Sequence, residues 1–340
     1  MRPSVSVLIV AWNSSRELRR TIPPLLAELR EGDELIVVDN ASPDDSAAVV
    51  AELAPAAKVV TMGRNVGFAG GVNVGARSAG GDLLVILNPD AMPLPGWGEA
   101  IRRPWLEGRG WSAWQGLVAG QNGTTINAAY NPCHFTCLVW SGMYGEPIAA
   151  ARPGVVTSLS GACLAVPLEV WHRFGGFAPK FFMYHEDVDL ALRLRLMGET
   201  AGIEPTAIVA HDYEFGASAG KKWRWLERNR LATLVRLWPT ALLVLLAPAL
   251  LATEAALLVA ALAGGWAGQK LRSYVEVIAW LPRLLRERRQ IQRDRRVSAA
   301  DFAAALTPDL DSPFIPEVAR SLPARLALRT YWRAVRALLR

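Results

Sequence analysis

The stretch VSVLIVAWNSS, residues 5–15, is a short apolar run, rich in β-branched residues, that ends on polar residues. It predicts a buried strand followed by the cap of a helix, which continues to about Arg30. The same order then recurs, with an apolar run at residues 34–38, a helical stretch, and a third strand at 58–62. Strands that alternate with helices predict an α/β fold built on a parallel, doubly wound sheet.

Polar side chains follow two of the predicted strands. Asp39 ends the strand at 34–38, and a fourth strand, residues 82–87, is followed by Asn88 and Asp90. Ligands of such sheets bind outside the carboxyl ends of the strands, so both aspartates are candidate binding residues. A lone carboxylate there suits a magnesium ion that keeps waters and a diphosphate as its other ligands. A helix cap explains Asp39 equally well.

A glycine-rich segment, RNVGFAGGVNVG, occupies residues 64–75. Glycines this dense let the backbone approach a ligand closely, and we expect them to precede a helix whose first amides face an anion. The spacing matches neither the dinucleotide-binding fingerprint nor the phosphate-binding loop of NTPases. The segment therefore predicts neither a dehydrogenase nor a P-loop enzyme.

The stretch FFMYHEDVDLALRLRLMG, residues 181–198, joins an aromatic run to three acids and a helix. The acids are Glu186, Asp187 and Asp189. The helix dipole favours acids in the first turn, so a simple N-terminal cap is one interpretation. The other is a catalytic base, because a carboxylate held beside apolar rings has a raised pKa.

Two further strands are predicted around this stretch. Residues 158–166 form one, with Gly161 at a position where another group comes close. Residues 203–210 form the other and end on His211, one helix and one strand beyond Asp187. That path can return His211 to the same cleft, where neutral imidazole could ligate a metal. A packed histidine is the plainer interpretation.

Composition and charge bound the class of protein. The 340 residues are 51% hydrophobic, which is enough for a sizeable core. Residues 1–220 carry a net charge of −6 and residues 221–340 carry +12, so the second half favours an anionic partner. We expect a membrane surface and no nucleic acid, because no nucleic-acid-binding module is recognisable.

Cysteine usage and the first residues indicate the compartment. Cys133, Cys137 and Cys163 are an odd number without metal-type spacing, which predicts reduced thiols in a cytoplasmic protein. The N-terminus lacks the pattern of a signal peptide.

Together these motifs resemble the family 2 inverting glycosyltransferases, and among them the bacterial rhamnosyltransferase-like members that decorate cell-surface polysaccharides. The resemblance covers about residues 4–235. It rests on DNASPDDS, RNVGFAGGVNVG, LLVILNPDA, LSGACLAV and GGFAPKFFMYHEDVDLALRL, in this order and followed by His211. It implies a GT-A, Rossmann-like domain that uses a nucleotide-diphospho-sugar.

The resemblance implies how the donor binds. Asp39 would accept the imide hydrogen bond of a uracil or thymine ring. Asp90 and His211 would bind Mg²⁺ or Mn²⁺ on the diphosphate. The other donor-binding positions implied are Ala11, Asn13, Asn65, Gly67, Gly71, Asn73 and Asn88.

The resemblance also implies the reaction. Asp187 matches the family's base and would deprotonate the acceptor hydroxyl as its oxygen attacks and inverts the anomeric carbon. Glu186 and Asp189 would orient the base or the acceptor, and the floor of the sugar pocket would be Gly161, Ala162 and Cys163. The expected donor is dTDP-rhamnose, and the expected acceptor is a lipid-linked or polysaccharide hydroxyl of the cell envelope.

Other functions stay open at this stage. A different UDP- or GDP-hexose could be the donor, and a non-catalytic nucleotide-sugar-binding protein would share the donor site. A nucleotidyltransferase is disfavoured, because residues 11–24 contain no Gly-rich triphosphate loop.

The sequence departs from the family pattern at three positions, and each departure leads to a further prediction. Many members have Arg-Asn where this chain has Val72-Asn73, so Arg64 or Arg77 would meet the diphosphate. Asn88 replaces the first acid of the family's Asp-x-Asp motif, which predicts weak metal binding. Lys221 stands where processive synthases carry Gln, which favours transfer of a single sugar.

The sequence divides into a catalytic domain, residues 1–235, and a helical, apolar and basic region, residues 236–340. Residues 237–266 contain one charge, Glu254, and are long enough to span a membrane. Two prolines, the central glutamate and basic flanks on both sides disfavour a simple span. A re-entrant hairpin or a soluble helical subdomain fits better.

Arginine-rich segments at 282–296 and 320–340 alternate with leucine, valine and tryptophan. Basic amphipathic helices of this kind suit an anionic lipid surface, and ordinary solvated helices are the alternative. We expect the protein at the cytoplasmic face of the bacterial cell membrane, either peripheral or re-entrant.

Overall fold

The computed structural model describes residues 2–211, 219–315 and 317–340, without the side chains of residues 219–221. The prediction made on Lys221 therefore lies outside the described side chains. Two compact units are present. The sheet unit comprises residues 2–131, 141–194 and 199–211, and the helical unit comprises residues 132–140, 195–198, 219–315 and 317–340.

The first half of the sheet unit alternates strands and helices. Its elements are β1 Val5–Ala11, α1 Ser15–Glu28, β2 Glu34–Asp39, α2 Ser46–Leu53, β3 Lys58–Thr61, α3 Gly67–Gly75 and β4 Leu83–Leu87. Parallel pairing places these strands in the order β3-β2-β1-β4. Every residue of β1 and of β4 is buried, as expected of parallel strands covered on both faces.

The remaining elements make the sheet mixed. They are β5 Ala91–Pro93, α4 Trp97–Ala100, α5 Arg103–Leu106, β6 Ala113–Ala119, β7 Ile126–Ala128, β8 Gly154–Val156, β9 Cys163–Pro167, α6 Leu168–Phe174, α7 Glu186–Leu196 and β10 Ala201–His211. Antiparallel β9 follows β4 in a sheet of ten strands ordered β3-β2-β1-β4-β9-β6-β10-β5, with β7 beside β6 and β8 beside β10. The predicted α/β fold is confirmed, but the sheet is not parallel throughout: β1 to β4 pair in parallel, as do β6 and β10, whereas the other described strand pairs are antiparallel.

Two local predictions were wrong in detail. The glycine-rich segment does not precede a helix but forms α3 itself, because its glycines allow the helix to lie close against β1 and β2. The strand predicted at 158–166 begins only at Cys163, which leaves Gly161 in the preceding turn.

Two apolar clusters fill the faces of the sheet. Alternate residues of β1 belong to different clusters, Val7 and Ile9 to one and Leu8 and Val10 to the other. Cys163 lies in the first cluster, and Cys133 and Cys137 lie in the helical unit. All three cysteines are buried, and none of them forms a disulfide within the described residues.

The helical unit confirms the predicted C-terminal helical region. Its helices are α8 Ala219–Leu237, α9 Thr240–Ala263, α10 Ala267–Asp294, α11 Ala299–Ala304, α12 Glu317–Arg320 and α13 Leu322–Leu338. Within the described residues, α9 is the one helix that is long and apolar enough to cross a membrane, which is weak evidence by itself. His134 is buried in this unit beside Thr136, and burial lowers its pKa to about 3, in line with packing.

Candidate active site

The ends of β1 and β2 bring the first predicted donor-binding residues together. Ala11 and Asp39 are paired in register, and the Asn40 N–H donates to the Ala11 carbonyl at 2.9 Å. The Asp39 carboxylate is nearly buried and accepts a bond from the Ser42 N–H at 3.0 Å. Asn13 follows β1 with a positive φ of 54°. The carboxyl edge of the sheet therefore carries all three predicted positions.

Asn40 organises the next loop, which sequence reasoning had not singled out. Its amide nitrogen donates to Asn65 Oδ1 at 3.1 Å and to the Gly67 carbonyl at 3.2 Å, and its oxygen accepts from the Val66 N–H at 2.9 Å. Asn65 Oδ1 also accepts from the Gly67 N–H at 2.8 Å. The side chain of Asn65 is thereby fixed at the start of α3. The sequence signal for Asn40 was its position directly after Asp39, which ends a strand.

The glycines of α3 serve packing in this structure. A Cβ at Gly67, whose φ is +79°, would overlap the Phe182 carbonyl, and one at Gly71 would lie 2.6 Å from Val10 Cγ1. Asn73 exchanges two hydrogen bonds of 2.9 Å with the backbone of Phe177. These residues hold the strand β1 and the segment before α7 against α3.

Asn88, Asp90 and His211 meet beyond β4 and β10. His211 Nε2 lies 3.0 Å from Asp90 Oδ1 and 3.5 Å from Asn88 Nδ2. Burial alone would raise the pKa of Asp90, but the hydrogen bond and charge of His211 lower it below 3.8. β5 pairs with β10, opposing Ala91 to His211, and so brings the two ends together.

These two residues fit a divalent cation only in part. Asp90 offers an oxygen and His211 a nitrogen, a combination that suits Mn²⁺ or Mg²⁺ when water and phosphate oxygens fill the other positions. Among the described residues there is no group of three or more His, Cys, Asp or Glu side chains that could hold a metal ion. A cation here would depend on the donor for ligands, as the replacement of the first acid by Asn88 predicts.

Asp187 is held in place through both of its oxygens. The Gly161 N–H donates to Oδ2 at 2.8 Å, and the Val188 N–H donates to Oδ1 at 2.7 Å. Burial raises the pKa of Asp187 above 3.8, while the Gly161 and Val188 bonds act in the opposite direction. The Ala162 carbonyl accepts from the Asn88 N–H at 3.0 Å. The turn at Gly161-Ala162 therefore joins the loop that carries Asp90 to the carboxylate of Asp187.

Glu186 is the acid that burial affects more. It is 5% exposed, and among the described residues its Oε2 has no hydrogen-bond partner. Burial first, and then the charge of Asp187, raise its pKa well above 4.5. Two N–H groups stabilise the ionised form of Asp187, and among the described residues none stabilises Glu186 Oε2, so protonation is favoured at Glu186 over Asp187.

The backbone before α7 is strained. Phe182, Tyr184 and His185 have φ values of 66°, 68° and 68°, in the left-handed region that non-glycine residues rarely adopt. Each such residue costs of order 1–3 kcal/mol, and such residues cluster at functional sites. The strained turn delivers Glu186 and Asp187 to the first turn of α7, where the helix dipole favours negative charge.

Asp189 and Cys163, which were predicted to lie at the acceptor or in the sugar pocket, are buried against other side chains of the sheet unit. Asp189 is fully buried and pairs with Arg193 at 2.7 Å, and Arg193 also donates to the carbonyls of Phe174 and Gly176 at 2.6 Å each. Cys163 is buried under Trp97, whose indole donates to its sulfur at 3.4 Å, and burial raises the thiol pKa to about 11. Asp189 thus fixes the loop before α7, and Arg193, which sequence reasoning missed, is its partner.

Arg64 and Arg77 line one cleft of about 710 Å³ on the outer side of α3. Asn65, Asn73 and Trp171 are among its other lining residues. Asp90, Asp187 and His211 do not line it. The two arginines that were candidates for a diphosphate contact therefore share a cleft with the predicted donor residues Asn65 and Asn73 but not with Asp90.

Comparison with known proteins finds that the chain is similar to glycosyltransferases. Residues 6–171 match the family model described as glycosyl transferase family 2. The match includes Asp39 and Asp90 and ends before Asp187. An N-acetylglucosaminyl-diphospho-decaprenol L-rhamnosyltransferase of Mycobacterium tuberculosis is 24% identical over 236 residues, which cover 62% of this chain and 76% of that protein. The succinoglycan biosynthesis protein ExoO of Rhizobium meliloti is 33% identical over 102 residues, 30% of this chain and 28% of that protein.

Solved structures share the fold. A crystal structure of GalNAc-T7 with UDP, GalNAc and Mn²⁺ superposes with a TM-score of 0.58 and 17% identity over 70% of this chain. The chain spans about half of that solved chain, 48%. Staphylococcus aureus TarS superposes with a TM-score of 0.50 and 15% identity, over 68% of this chain and 39% of that one.

Proposed function

We propose that this chain, which belongs to glycosyl transferase family 2 as its motifs predicted, moves one rhamnose from dTDP-rhamnose to an acceptor hydroxyl with inversion of the anomeric carbon. A glycosyltransferase follows from the family. Rhamnose as the sugar rests on the similarity to an L-rhamnosyltransferase and on the family motifs taken together. The acceptor we propose is a lipid-linked or polysaccharide hydroxyl of the cell envelope.

The observation that carries the proposal is the bridge formed by Gly161 and Ala162. One residue donates to the carboxylate of Asp187, and the next accepts from the backbone of Asn88, two residues before Asp90. A base and a diphosphate-binding carboxylate are thus fixed relative to each other by main-chain bonds. An in-line displacement needs this arrangement, with the base on the acceptor side and the leaving group opposite.

Asp187 acts as the base in the proposed reaction. Its carboxylate takes the proton of the acceptor hydroxyl while that oxygen forms a bond to the anomeric carbon, and the bond from that carbon to the diphosphate oxygen breaks. Burial makes Asp187 a stronger base than an exposed aspartate, and the two N–H bonds keep it ionised. The raised pKa of Glu186 favours its neutral form, which places less negative charge beside Asp187.

The donor nucleoside diphosphate would lie along the carboxyl edge of the sheet. Asp39 would accept the imide hydrogen of the base, and Asn13 and Asn65 would line the nucleoside. Asp90 and His211 would hold a Mg²⁺ or Mn²⁺ ion, whose chemistry when bound is to offset the negative charge of the departing diphosphate. Mn²⁺ is present in the solved structure of GalNAc-T7, which supports the choice of a divalent cation.

We place the reaction at the cytoplasmic face of the cell membrane, because a lipid-linked acceptor lies there. Single transfer rather than processive synthesis is part of the same proposal.

A donor panel tests the proposal. The chain is incubated with UDP-, GDP- and dTDP-sugars, Mg²⁺ and a crude lipid extract, and Asp187→Asn runs beside it. Turnover of dTDP-rhamnose that vanishes in the variant is the expected result. Turnover of a UDP-hexose instead would discard rhamnose and keep the base. Nucleotide binding without turnover of any donor would contradict the proposed reaction.

A further inference from the structure

Exposed apolar side chains recur along α9 and along α10 as far as Leu285. On α9 they belong to residues at helical spacing, namely Val244, Pro248, Leu251, Ala255, Val259 and Leu262. On α10 they belong to Leu271, Val275, Ile278, Pro282 and Leu285. We call these residues the hairpin face. Val244, Leu251 and Ile278 are 68%, 71% and 68% exposed, which is unusual for large apolar side chains that recur along two helices of a soluble protein.

Arginines continue the hairpin face. On α10 the same line of positions runs on from Leu285 to Arg289 and Arg293, and Arg286 lies beside it, all three exposed. Residues 282–296 contain seven arginines and two acids. An apolar stripe that ends in exposed arginines is the pattern of a helix that lies in the interface of an anionic bilayer.

The one charged residue of α9 is turned away from the hairpin face. Glu254 pairs with Lys270 of α10 at 2.7 Å, with Arg230 of α8, and accepts from the Tyr274 hydroxyl at 2.7 Å. Burial would raise the pKa of Glu254, but Arg230 and Lys270 lower it below 4.5, so its charge is neutralised inside the unit. The hairpin face itself is left without an acid.

The ion pairs of Glu254 also indicate whether α9 lies on a membrane or spans it. They tie α9 to α8, which carries Arg224, Glu227, Arg228, Arg230 and Arg236. Arg288 of α10 further donates to the carbonyl of Val235 at 2.8 Å, near the end of α8. A helix with so many charges is costly to move into the hydrocarbon core, and α9 cannot enter the core without α8 while the pairs hold.

From this geometry we infer that the hairpin face docks the protein on an anionic bilayer, with α9 lying in the headgroup region and not crossing it. The apolar stripe enters the acyl boundary, and Arg286, Arg289 and Arg293 meet lipid phosphates. The sequence left a peripheral and a re-entrant arrangement open, and this inference selects the peripheral one. It concerns α9 and α10 and not α13, whose Trp332 is buried and stacks on Phe135 within the unit. It does not depend on which sugar is transferred.

Vesicle flotation of the full chain tests the docking surface. The vesicles contain either phosphatidylglycerol with phosphatidylethanolamine, or phosphatidylcholine alone. We expect flotation with the anionic vesicles, weakening as salt rises, and at least tenfold weaker binding for Val244→Glu/Leu251→Glu and for Arg286→Gln/Arg289→Gln/Arg293→Gln. The matched control is Val155→Glu on β8 of the sheet unit, 58% exposed, which should float like the wild type.

Two outcomes would overturn this docking surface. One is equal flotation of the wild type and both sets of variants. The other is a wild type that does not float, and whose self-association in solution is abolished by Val244→Glu/Leu251→Glu, since the face would then join two copies. Circular dichroism of each variant checks that its helices are retained.

Thiol labelling separates lying from spanning. Gly268→Cys places a thiol after the turn between α9 and α10, where a side chain has open space, and the three native cysteines are buried. In inverted membrane vesicles from bacteria that express the chain, an impermeant maleimide should label Cys at this position, and in spheroplasts it should not. Labelling in spheroplasts would show that the turn crosses the membrane and would contradict the peripheral arrangement.

Discussion

Two groups of buried carboxylates, one in each unit, differ in what faces them. In the sheet unit, Glu186 is 5% exposed and its Oε2 lacks a hydrogen-bond partner among the described residues, so burial raises its pKa. In the helical unit, Glu227 is equally buried but contacts Arg230 at 2.8 Å and also Lys270. Burial would raise its pKa too, but Arg230 and then Lys270 lower it to about 2.

The difference in facing charges shows how a buried glutamate can take part in chemistry in the sheet unit and stabilise structure in the helical unit. A buried carboxylate without a facing cation retains its affinity for a proton and can exchange one. A buried carboxylate between two cations stays ionised and fixes the helices that carry them. Among the described residues no cation pairs with Glu186 or Asp187, and this is the feature that marks the reactive pair.

The largest effect is expected from Asp187→Asn. The variant keeps the shape of the side chain but cannot accept the acceptor proton, so kcat should fall about 10²–10⁴-fold while donor binding is unchanged. Steady-state kinetics and calorimetric titration of the nucleotide measure the two quantities. Glu107→Gln, an exposed acid of the same unit, is the control and should lose nothing. A variant that retains more than a tenth of wild-type kcat would remove Asp187 as the base.

Lys270→Met should produce the largest loss of stability. Lys270 is fully buried and contacts both Glu227 and Glu254, so its removal leaves two buried carboxylates with only Arg230 between them. Breaking a buried pair costs about 3–5 kcal/mol of unfolding free energy. Urea unfolding monitored by the α-helical signal measures it. A loss below about 1 kcal/mol would mean that the pairs do not hold α9 to α8.

Glu186→Gln should change how stability depends on pH. The folded-state pKa of Glu186 lies above its unfolded value of 4.5, so its contribution to stability is present below pH 4.5 and is lost as pH rises through the folded pKa. The variant has no proton to lose, so its melting temperature relative to the wild type should rise between pH 4.5 and pH 8. Parallel melting curves of the two proteins across that range would refute the raised pKa.

Arg283→Ala should give the smallest loss of unfolding free energy. It compares an exposed ion pair with the buried pairs of Lys270. Arg283 pairs with Glu287 at 2.7 Å, one turn along α10, but its side chain is 47% exposed. Exposed pairs at this spacing contribute about 0.3–0.5 kcal/mol. The same urea titration used for Lys270→Met should show a loss of this size. A loss as large as that of Lys270→Met would show that burial is not what separates the two pairs.

Much of the site could be predicted because strand ends determine where ligands bind. Asp39 and Asp90 were placed from the alternation of apolar runs with helices, and both lie at or just beyond the ends of strands. His211 was placed by counting one helix and one strand beyond Asp187, and it does meet Asp90. Local pattern and chain order were sufficient for these residues.

Tertiary contacts account for the parts that could not be predicted. The glycines of α3 are poor helix formers by propensity, and only their close packing on β1 and β2 reveals why they form a helix. The bonds of Arg193 to two carbonyls and the grouping of Glu254 with Arg230 and Lys270 join residues far apart in the chain. No periodicity records such pairs.

The central claim is that burial, without a counter-charge among the described residues, makes Asp187 a base. The pH dependence of kcat with saturating donor and acceptor tests this claim most directly. Activity should fall as pH falls, with an apparent pKa above the ordinary aspartate value of 3.8, because Asp187 must be ionised to take the proton. Glu186→Gln should keep this acid limb. An acid limb at or below pH 3.8, or a rate independent of pH, would contradict the account.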